Sequence, residues 1–405
     1  MKKICILSAG TLPVPPVKGG AVENLIDIVL KKNEKTKDAK FFVTSVYADE
    51  AEKKSKEYAE TEFFFSKTPV LIKFLDKIIY SAAKIAINQK SNSFRCILAR
   101  LCYINFAKKL LLSNTFDIVV AENHVSLFLL MKNKKLNQKY ENRFFYHAHN
   151  EPNGNFTCKK QIESCSKIIT VSDFISNCYK KSYPRSNAKY QVVKNGIDVE
   201  LFSQRLDENE RADFRKRIGI KKDDFLVIFA GRLSAEKGID KLCKAFRKAH
   251  IPNSKLMIVG ASFFGTKSKN SFQKNLLKIL NGYEDRVLFT GFVPYEQMWK
   301  YYSISDVAVL PSIWNDPAPL TNIEACVCSL PVITTKSGGI PEYSNPESAI
   351  LLNRNENLVD DIAKNLCELY ANPEKRKELG KKNNDFAVQF CKENFYKNYM
   401  NVLEV

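Results

Sequence analysis

The sequence predicts an α/β protein built as two Rossmann-like, doubly wound domains in tandem, the carboxyl ends of their strands facing a central cleft. Three observations predict it. An apolar run from Lys3 to Ser8 leads into a Pro and Gly loop ending Lys18-Gly19-Gly20, and Val22, Leu25, Ile26, Val29 and Leu30 then recur at helical spacing. The same order of strand, glycine loop and helix restarts at Phe225 to Ala230, closed by Gly231 to Gly238, after which Ile239, Leu242, Cys243 and Phe246 resume helical spacing. Lastly, 405 residues, 45 % of them hydrophobic, can bury two cores of ordinary domain size.

In the first half, further strands are expected at Phe41 to Val46, Asp117 to Ala121, Arg143 to Tyr146, Lys167 to Val171 and Tyr190 to Val193. Ser172-Asp173 stands where a helix N-cap belongs. In the second half, strands are expected at Lys255 to Val259, Arg286 to Phe289, Asp306 to Leu310 and Pro331 to Thr334. The boundary falls near Lys194, giving one domain over 1–194 and a second over 195–385. Residues 386–405, with Phe390, Phe395, Tyr396 and Tyr399, read as a terminal helix that packs on something large.

Composition narrows the function classes. With 15 Gly, 15 Pro and no short repeat, collagen-like and low-complexity chains are excluded. The eleven cysteines are scattered, odd in number and without a C-x-x-C pair, so they read as small core hydrophobes in a reducing compartment, not as disulfides or zinc ligands. The N-terminal apolar run is too short for a signal peptide, and no uninterrupted apolar stretch is long enough to span a membrane. A cytoplasmic protein is expected.

The net charge of +19 is uneven, because residues 1–200 hold 33 Lys and Arg against 19 Asp and Glu. Between Lys67 and Ser113 nine basic residues face one acid, Asp76, and alternate with apolar residues such as Leu71, Phe74, Ile78, Leu101 and Leu110. Two readings fit: helices resting on an anionic bilayer or a lipid-linked acidic substrate, or a solvated Lys-rich face over an ordinary core stripe. Nucleic-acid binding is disfavoured, since no recognised motif accompanies the charge.

The segments expected at strand ends are Lys18 to Gly20, His147 to Glu151, Gly231 to Gly238, Asp316 to Glu324 and Ser337 to Glu342. Arg232 and Lys237 lie five apart in a glycine-flanked loop leading into a helix, where a guanidinium fork, an ammonium and helix-end amides can converge on one diphosphate. A solvated surface pair is the alternative. If a helix begins after Pro319, Asp316 precedes its N-terminus and Glu324 lies in its first turns, and carboxylates suit vicinal sugar hydroxyls. Taken singly, each acid reads as an N-terminal charge favouring the helix dipole. His124, His147 and His149 follow predicted strands, and one of them is expected to meet a transferring sugar; His250 reads as a surface residue. No D-x-D pair or metal-spaced His/Cys set appears, so no metal is expected and charge on a departing diphosphate falls to Arg232, Lys237 and backbone dipoles.

Read together, these segments resemble the retaining nucleotide-sugar glycosyltransferases of family four, which have the GT-B architecture. The resemblance rests on Lys18-Gly19-Gly20-Ala21-Val22-Glu23, His149-Asn150, Asn195-Gly196-Ile197-Asp198, Gly231-Arg232 through Glu236-Lys237-Gly238, Thr290-Gly291-Phe292-Val293, Pro311-Ser312, Glu324-Ala325 with Pro331-Val332-Ile333, and Gly338-Gly339-Ile340-Pro341-Glu342. It implies that the second domain holds the nucleotide sugar, the first holds the acceptor, and the final helix crosses back onto the first. On this resemblance Arg232, Lys237 and Gly231 match the diphosphate binders, and Glu324 matches the acid that receives the ribose hydroxyls. Asp316 and His149 match the groups at the donor sugar, and Gly19 and Gly20 the N-domain glycines near the phosphates. Leu320 and Thr321 lie with the donor, while Phe292 and Val293 fall where the backbone meets the base. Asp stands at 316 where the family has Glu, Pro317 and Pro319 replace the usual glycines, and Ser329 stands where Gly is frequent.

The implied activity is transfer of a sugar from a nucleotide diphosphate sugar, UDP-sugar favoured. The acceptor is a lipid-linked or surface polysaccharide, as in lipopolysaccharide or capsule synthesis at the inner face of a bacterial membrane, with peripheral attachment through residues 67–113 and no cofactor. A sugar-nucleotide epimerase on the same scaffold, or a non-catalytic protein binding anionic lipid, are the alternatives.

Overall fold

The chain alternates short apolar strands with helices, and the strands assemble into two separate parallel sheets. The computed structural model describes residues 1–86, 96–260 and 271–404. The first sheet is built from β1 (Lys2–Leu7), β2 (Ala39–Val46), β3 (Thr61–Ser66), β4 (Ile118–Glu122), β5 (Phe144–Ala148), β6 (Lys167–Thr170) and β7 (Lys189–Val192), in the order β3-β2-β1-β4-β5-β6-β7. The second comprises β8 (Phe225–Ala230), β9 (Ser254–Val259), β10 (Val287–Gly291), β11 (Val307–Leu310), β12 (Val332–Thr335) and β13 (Ile350–Leu352), in the order β10-β9-β8-β11-β12-β13. Strands covered by helices on both faces bury every residue, which is why β4, β5, β8 and β11 read as continuous apolar runs. In each sheet the strand order reverses once, between β1 and β4 and between β8 and β11. Ligands of doubly wound sheets bind at that reversal.

Two compact units result: Met1–Lys194 with Phe395–Val405, and Asn195–Asn394. The return to the first unit therefore starts nine residues later than the expected 386. Residues 386–394 stay with the second unit because Phe390 packs against Tyr343 at 5.1 Å and Phe386 at 5.6 Å, its carbonyl accepts from Ile197 N at 2.9 Å, and Lys392 pairs with Asp198 at 2.9 Å. From Phe395 onward the apolar side chains change cores: Phe395, Tyr396, Tyr399 and Met400 bury among Ile4, Ile6, Leu25 and Val29.

Other expectations meet local detail. Ser172 does cap a helix, Asp173–Ser182, by accepting from Ile175 N at 3.3 Å. All eleven cysteines are free; Cys5, Cys158, Cys165, Cys243, Cys326 and Cys328 are buried, but Cys96 and Cys367 are exposed, so the core reading does not hold for those two. Strands β3 and β13, both at sheet edges, have no counterpart in the sequence reading.

The basic window divides between its two readings. Helix Ile97–Ser113 buries Ile104, Leu110 and Leu111 as a core stripe. Helix Val70–Ala86 instead exposes Leu71 (67 %), Phe74 (59 %) and Ile78 (50 %) along one face. Asp76, the only acid in the window, is buried and caps the next helix by accepting from Leu98 N and Ala99 N, each at 2.9 Å. The surface of the helix thus keeps Lys73 and Lys77 with no exposed acid between them. Residues 87–95, with Lys90 and Arg95, lie outside the described residues.

Candidate functional site

In the second unit the loops leaving β8 and β11 are bound together at the strand reversal. The Glu236 carbonyl accepts from Ile313 N at 2.9 Å, Trp314 N at 3.3 Å and Ser312 Oγ at 3.4 Å. Gly238 permits this closeness: its φ is +67°, and a Cβ there would lie 1.9 Å from the Pro311 carbonyl oxygen. The consequence is a contact between the two loops, in which Lys237 Nζ donates to Asp316 Oδ2 at 2.5 Å, with the carboxylate almost fully buried and the ammonium partly exposed. The Trp314 ring lies 5.8 Å from the same Nζ. A third loop, after β12, fits against Asp316 through Gly339 N donating to its carbonyl at 2.8 Å, and a Cβ on Gly338 would sit 2.4 Å from that oxygen. Lys237, Ser312, Asp316, Thr321 and Asn322 line a hollow at this edge.

The helix expected after Pro319 is Leu320–Val327, with no side chain capping its first turn. Leu320 and Thr321 are half-buried at its start, and Glu324 is buried one turn further on. Burial pushes the Glu324 carboxyl up to about 7, against the Tyr302 hydroxyl, which donates to it at 3.0 Å and favours the ion. Sequence reasoning missed Tyr302, which carries no motif. Gly231 ends β8 by donating to the Val259 carbonyl at 3.0 Å. Arg232, expected beside Lys237, is exposed and meets no carboxylate within 4 Å among the described residues; the ammonium is held by Asp316 instead. In the loop after β10 Phe292 is 61 % exposed and Val293 packs against the core.

The first unit gathers a different group. Glu122 ends β4 directly beside His147 of β5, and the two-residue period of a strand carries His149 to the same face. His149 Nε2 lies 2.9 Å and His147 Nδ1 3.1 Å from Glu122 Oε2, the two imidazoles are 4.0 Å apart, and the Tyr399 hydroxyl donates to Glu122 Oε1 at 3.3 Å. Burial pushes the Glu122 carboxyl up, yet the two histidines outweigh it and hold it down at about 2. Burial, and then His147, push His149 down to about 4. These three residues, from two strands, also place ligand atoms within 4.8 Å of one another, a spacing open to a metal ion that no linear motif announces. The signal available in the sequence was an acid ending the otherwise apolar run Ile118 to Ala121.

The expected phosphate seat at Gly19 and Gly20 is filled from within. Gly20, at φ +114°, precedes helix Ala21–Thr36, and the Glu23 carboxyl folds over it so closely that a Cβ on Gly20 would lie 2.1 Å from Oε2. Burial raises that carboxyl to about 7. His124 caps the turn after β4, and His250 is a surface residue paired with Tyr283 at 2.8 Å, as the sequence suggests.

Residues 210–386 match the family described as Glycosyl transferases group 1. The spore coat protein SA of Bacillus subtilis is 27 % identical over 395 residues, covering 94 % of this chain and 93 % of that protein. Structures of Anabaena Alr3699/HepE in complex with UDP superpose with a TM-score of 0.72 at 17 % identity over 100 % of both chains. Residues 210–386 thus carry a glycosyltransferase group 1 domain, and the chain as a whole has the GT-B fold. Over about half of each chain it is also 27 % identical to the lipopolysaccharide 1,2-N-acetylglucosaminetransferase of Salmonella typhimurium, covering 56 % of this chain and 56 % of that one. The glycosyltransferase resemblance and the fold class drawn from the sequence are thereby borne out. The matched stretch contains Arg232, Lys237, Asp316 and Glu324, with the loops that follow β8 and β11.

Proposed function

We propose that this glycosyltransferase transfers a sugar with retention from a nucleotide diphosphate sugar, UDP-sugar favoured, to a lipid-linked or surface-polysaccharide acceptor at the inner membrane face, without a metal. The observation that carries the reading is the Lys237–Asp316 pair at the strand reversal of the second sheet, with buried Glu324 in the adjoining helix. A diphosphate drawn to Lys237 releases Asp316 to accept from sugar hydroxyls, and Glu324 accepts from the ribose. In the transfer the bond from the anomeric carbon to the diphosphate oxygen breaks, a bond to the acceptor oxygen forms on the same face, and the departing phosphate takes the acceptor proton. Lys237 and Arg232 offset the charge that develops.

A panel of sugar nucleotides screened by thermal shift, from pH 5.5 to 8, tests this reading. UDP-sugars are expected to raise the melting temperature, also in the presence of EDTA. Because free Glu324 titrates near 7 and hydroxyls donated to it favour the carboxylate, binding releases a proton, so affinity rises with pH up to about 7 and then levels off. Glu324→Gln flattens that rise. Absence of any shift with every sugar nucleotide would reject the donor reading.

Helix Val70–Ala86 supports the membrane part, since its exposed Leu71, Phe74 and Ile78 lie among lysines whose only nearby acid is buried. The protein is expected to float with phosphatidylglycerol vesicles but not with phosphatidylcholine vesicles, and Leu71→Ser with Phe74→Ser to abolish this. Equal flotation of that double variant would remove the helix from the membrane contact. No helix among the described residues is long and apolar enough to cross a bilayer.

A further inference from the structure

We infer that the strand reversal of the first sheet, between β1 and β4, is an anion site for a phosphate group carried by the acceptor, with Arg100 and the Nε2–H of His124 as its donors. The inference rests on the reading that the first unit receives the acceptor. β1 and β4 are neighbours in register, Leu7 opposite Ala121, so the residues just beyond them emerge at one edge. Ala9 follows β1 by two residues and His124 follows β4 by two. Arg100, in the first turn of helix Ile97–Ser113, reaches this edge and donates from Nη1 to the Ala9 carbonyl at 2.7 Å.

What distinguishes Arg100 is incomplete satisfaction. Its guanidinium is partly buried, and burial pushes its pKa down, yet among the described residues no carboxylate lies within 4 Å of it. Desolvated cations in folded proteins are ordinarily paired. Arg215, another arginine whose burial depresses its pKa, illustrates the ordinary case: it donates to the Ile304, Lys221 and Asp224 carbonyls and lies 3.7 Å from Asp306. Arg100 has one carbonyl and donors to spare.

His124 complements it. Its Nδ1 accepts from Ser126 N at 3.2 Å and meets Ser126 Oγ at 2.7 Å, which places the ring proton on Nε2. Burial and the neighbouring Arg100 both push its pKa down. Phe156, from the loop after β5, lies 5.4 Å from the imidazole and orients it. The next residue, Thr157, accepts from Lys132 Nζ at 2.6 Å. The two proposed donors come from separate elements, Arg100 from helix Ile97–Ser113 and His124 from the loop after β4. None of these residues belongs to the donor site in the second unit.

The test titrates the full chain with inorganic phosphate, following melting temperature and calorimetric heat. Arg100→Gln is expected to weaken phosphate about 10- to 100-fold and His124→Gln about 2- to 10-fold, the range for losing a charged and a neutral hydrogen bond, while Lys237→Ala retains this site. Arg100→Lys should restore part of the affinity and, with His124→Gln, keeps the test readable if Arg100→Gln does not fold. Glucose 6-phosphate in solution and polyprenyl phosphate in detergent micelles then separate a free from a lipid-linked acceptor; tighter binding of either, lost with Arg100→Gln, supports the site. Phosphate binding unchanged by Arg100→Gln, or abolished by Lys237→Ala alone, overturns it. A UDP-sugar shift at parent strength in Arg100→Gln keeps this result separate from the donor reading, which fails by its own route if no sugar nucleotide binds the parent.

Discussion

Replacing Lys237 with alanine is expected to lower kcat by about 10²–10³, with a smaller rise in the KM for the donor, because an ammonium facing the leaving diphosphate acts most strongly when that group gains charge. The free protein already holds the ammonium in place, 2.5 Å from Asp316, on a loop that the Glu236 carbonyl fixes against its neighbour. Preorganisation of this kind is what makes a single cation effective. Arg232 starts from a different condition. It is exposed and meets no carboxylate among the described residues, so its entropy must be lost when the donor binds, and Arg232→Ala is expected to cost only about tenfold. Lys237→Arg should recover little, since a planar guanidinium does not reproduce the compact ammonium that Asp316 and Trp314 hold in place. Steady-state kinetics with the donor found in the thermal screen decide the matter. Turnover at the parent rate in Lys237→Ala would remove the second unit's strand reversal as the donor site, and equal losses at both cations would show Arg232 closing on the donor as it binds.

The strand, loop and helix order was legible because strands buried on both faces are apolar without alternation, and β1, β8 and β9 stand out from the polar sequence around them. The two strands that escaped are at the edges. β3 begins Thr61-Glu62 and leaves Glu62 exposed and its aromatic residues half-buried, and β13 is three half-buried residues long, so neither offers a continuous apolar run. Site residues were legible singly but not in their pairings. Spacing along the chain suggested Lys237 with Arg232, five residues apart, whereas the strand reversal brings Lys237 to Asp316, 79 positions away. A glycine pair before a helix pointed to a phosphate seat, but the carboxyl of Glu23 occupies the space above Gly20. Tertiary proximity of this sort follows from the order of strands in the sheet, and one sequence does not encode that order locally.

Glu122 is expected to matter more to stability than any other single polar residue of the first unit. Its carboxylate, 1 % exposed, accepts from two histidines and from Tyr399, so one side chain joins β4, β5 and the C-terminal helix. Glu122→Ala leaves those donors buried without an acceptor and should cost about 3–5 kcal/mol, which lowers the first calorimetric transition by roughly 10 °C. Glu122→Gln keeps the shape but offers an amide N–H₂ to one of the imidazoles, and should lie between alanine and the parent. Tyr399→Phe removes one donor and should cost about 1 kcal/mol. The pH dependence has a definite sign. His149 titrates near 4 in the folded protein against an ordinary 6.5, so the folded state loses stability as pH falls through that window; Glu122 titrates near 2 against an ordinary 4.5, so its contribution is lost as pH falls from about 4.5 to 2. Glu122→Gln removes the second, more acidic window from the profile of melting temperature against pH. A melting temperature for Glu122→Ala within about 2 °C of the parent at pH 7.5 would mean that the two histidines and Tyr399 find other partners, and that the C-terminal helix is held by its apolar residues alone.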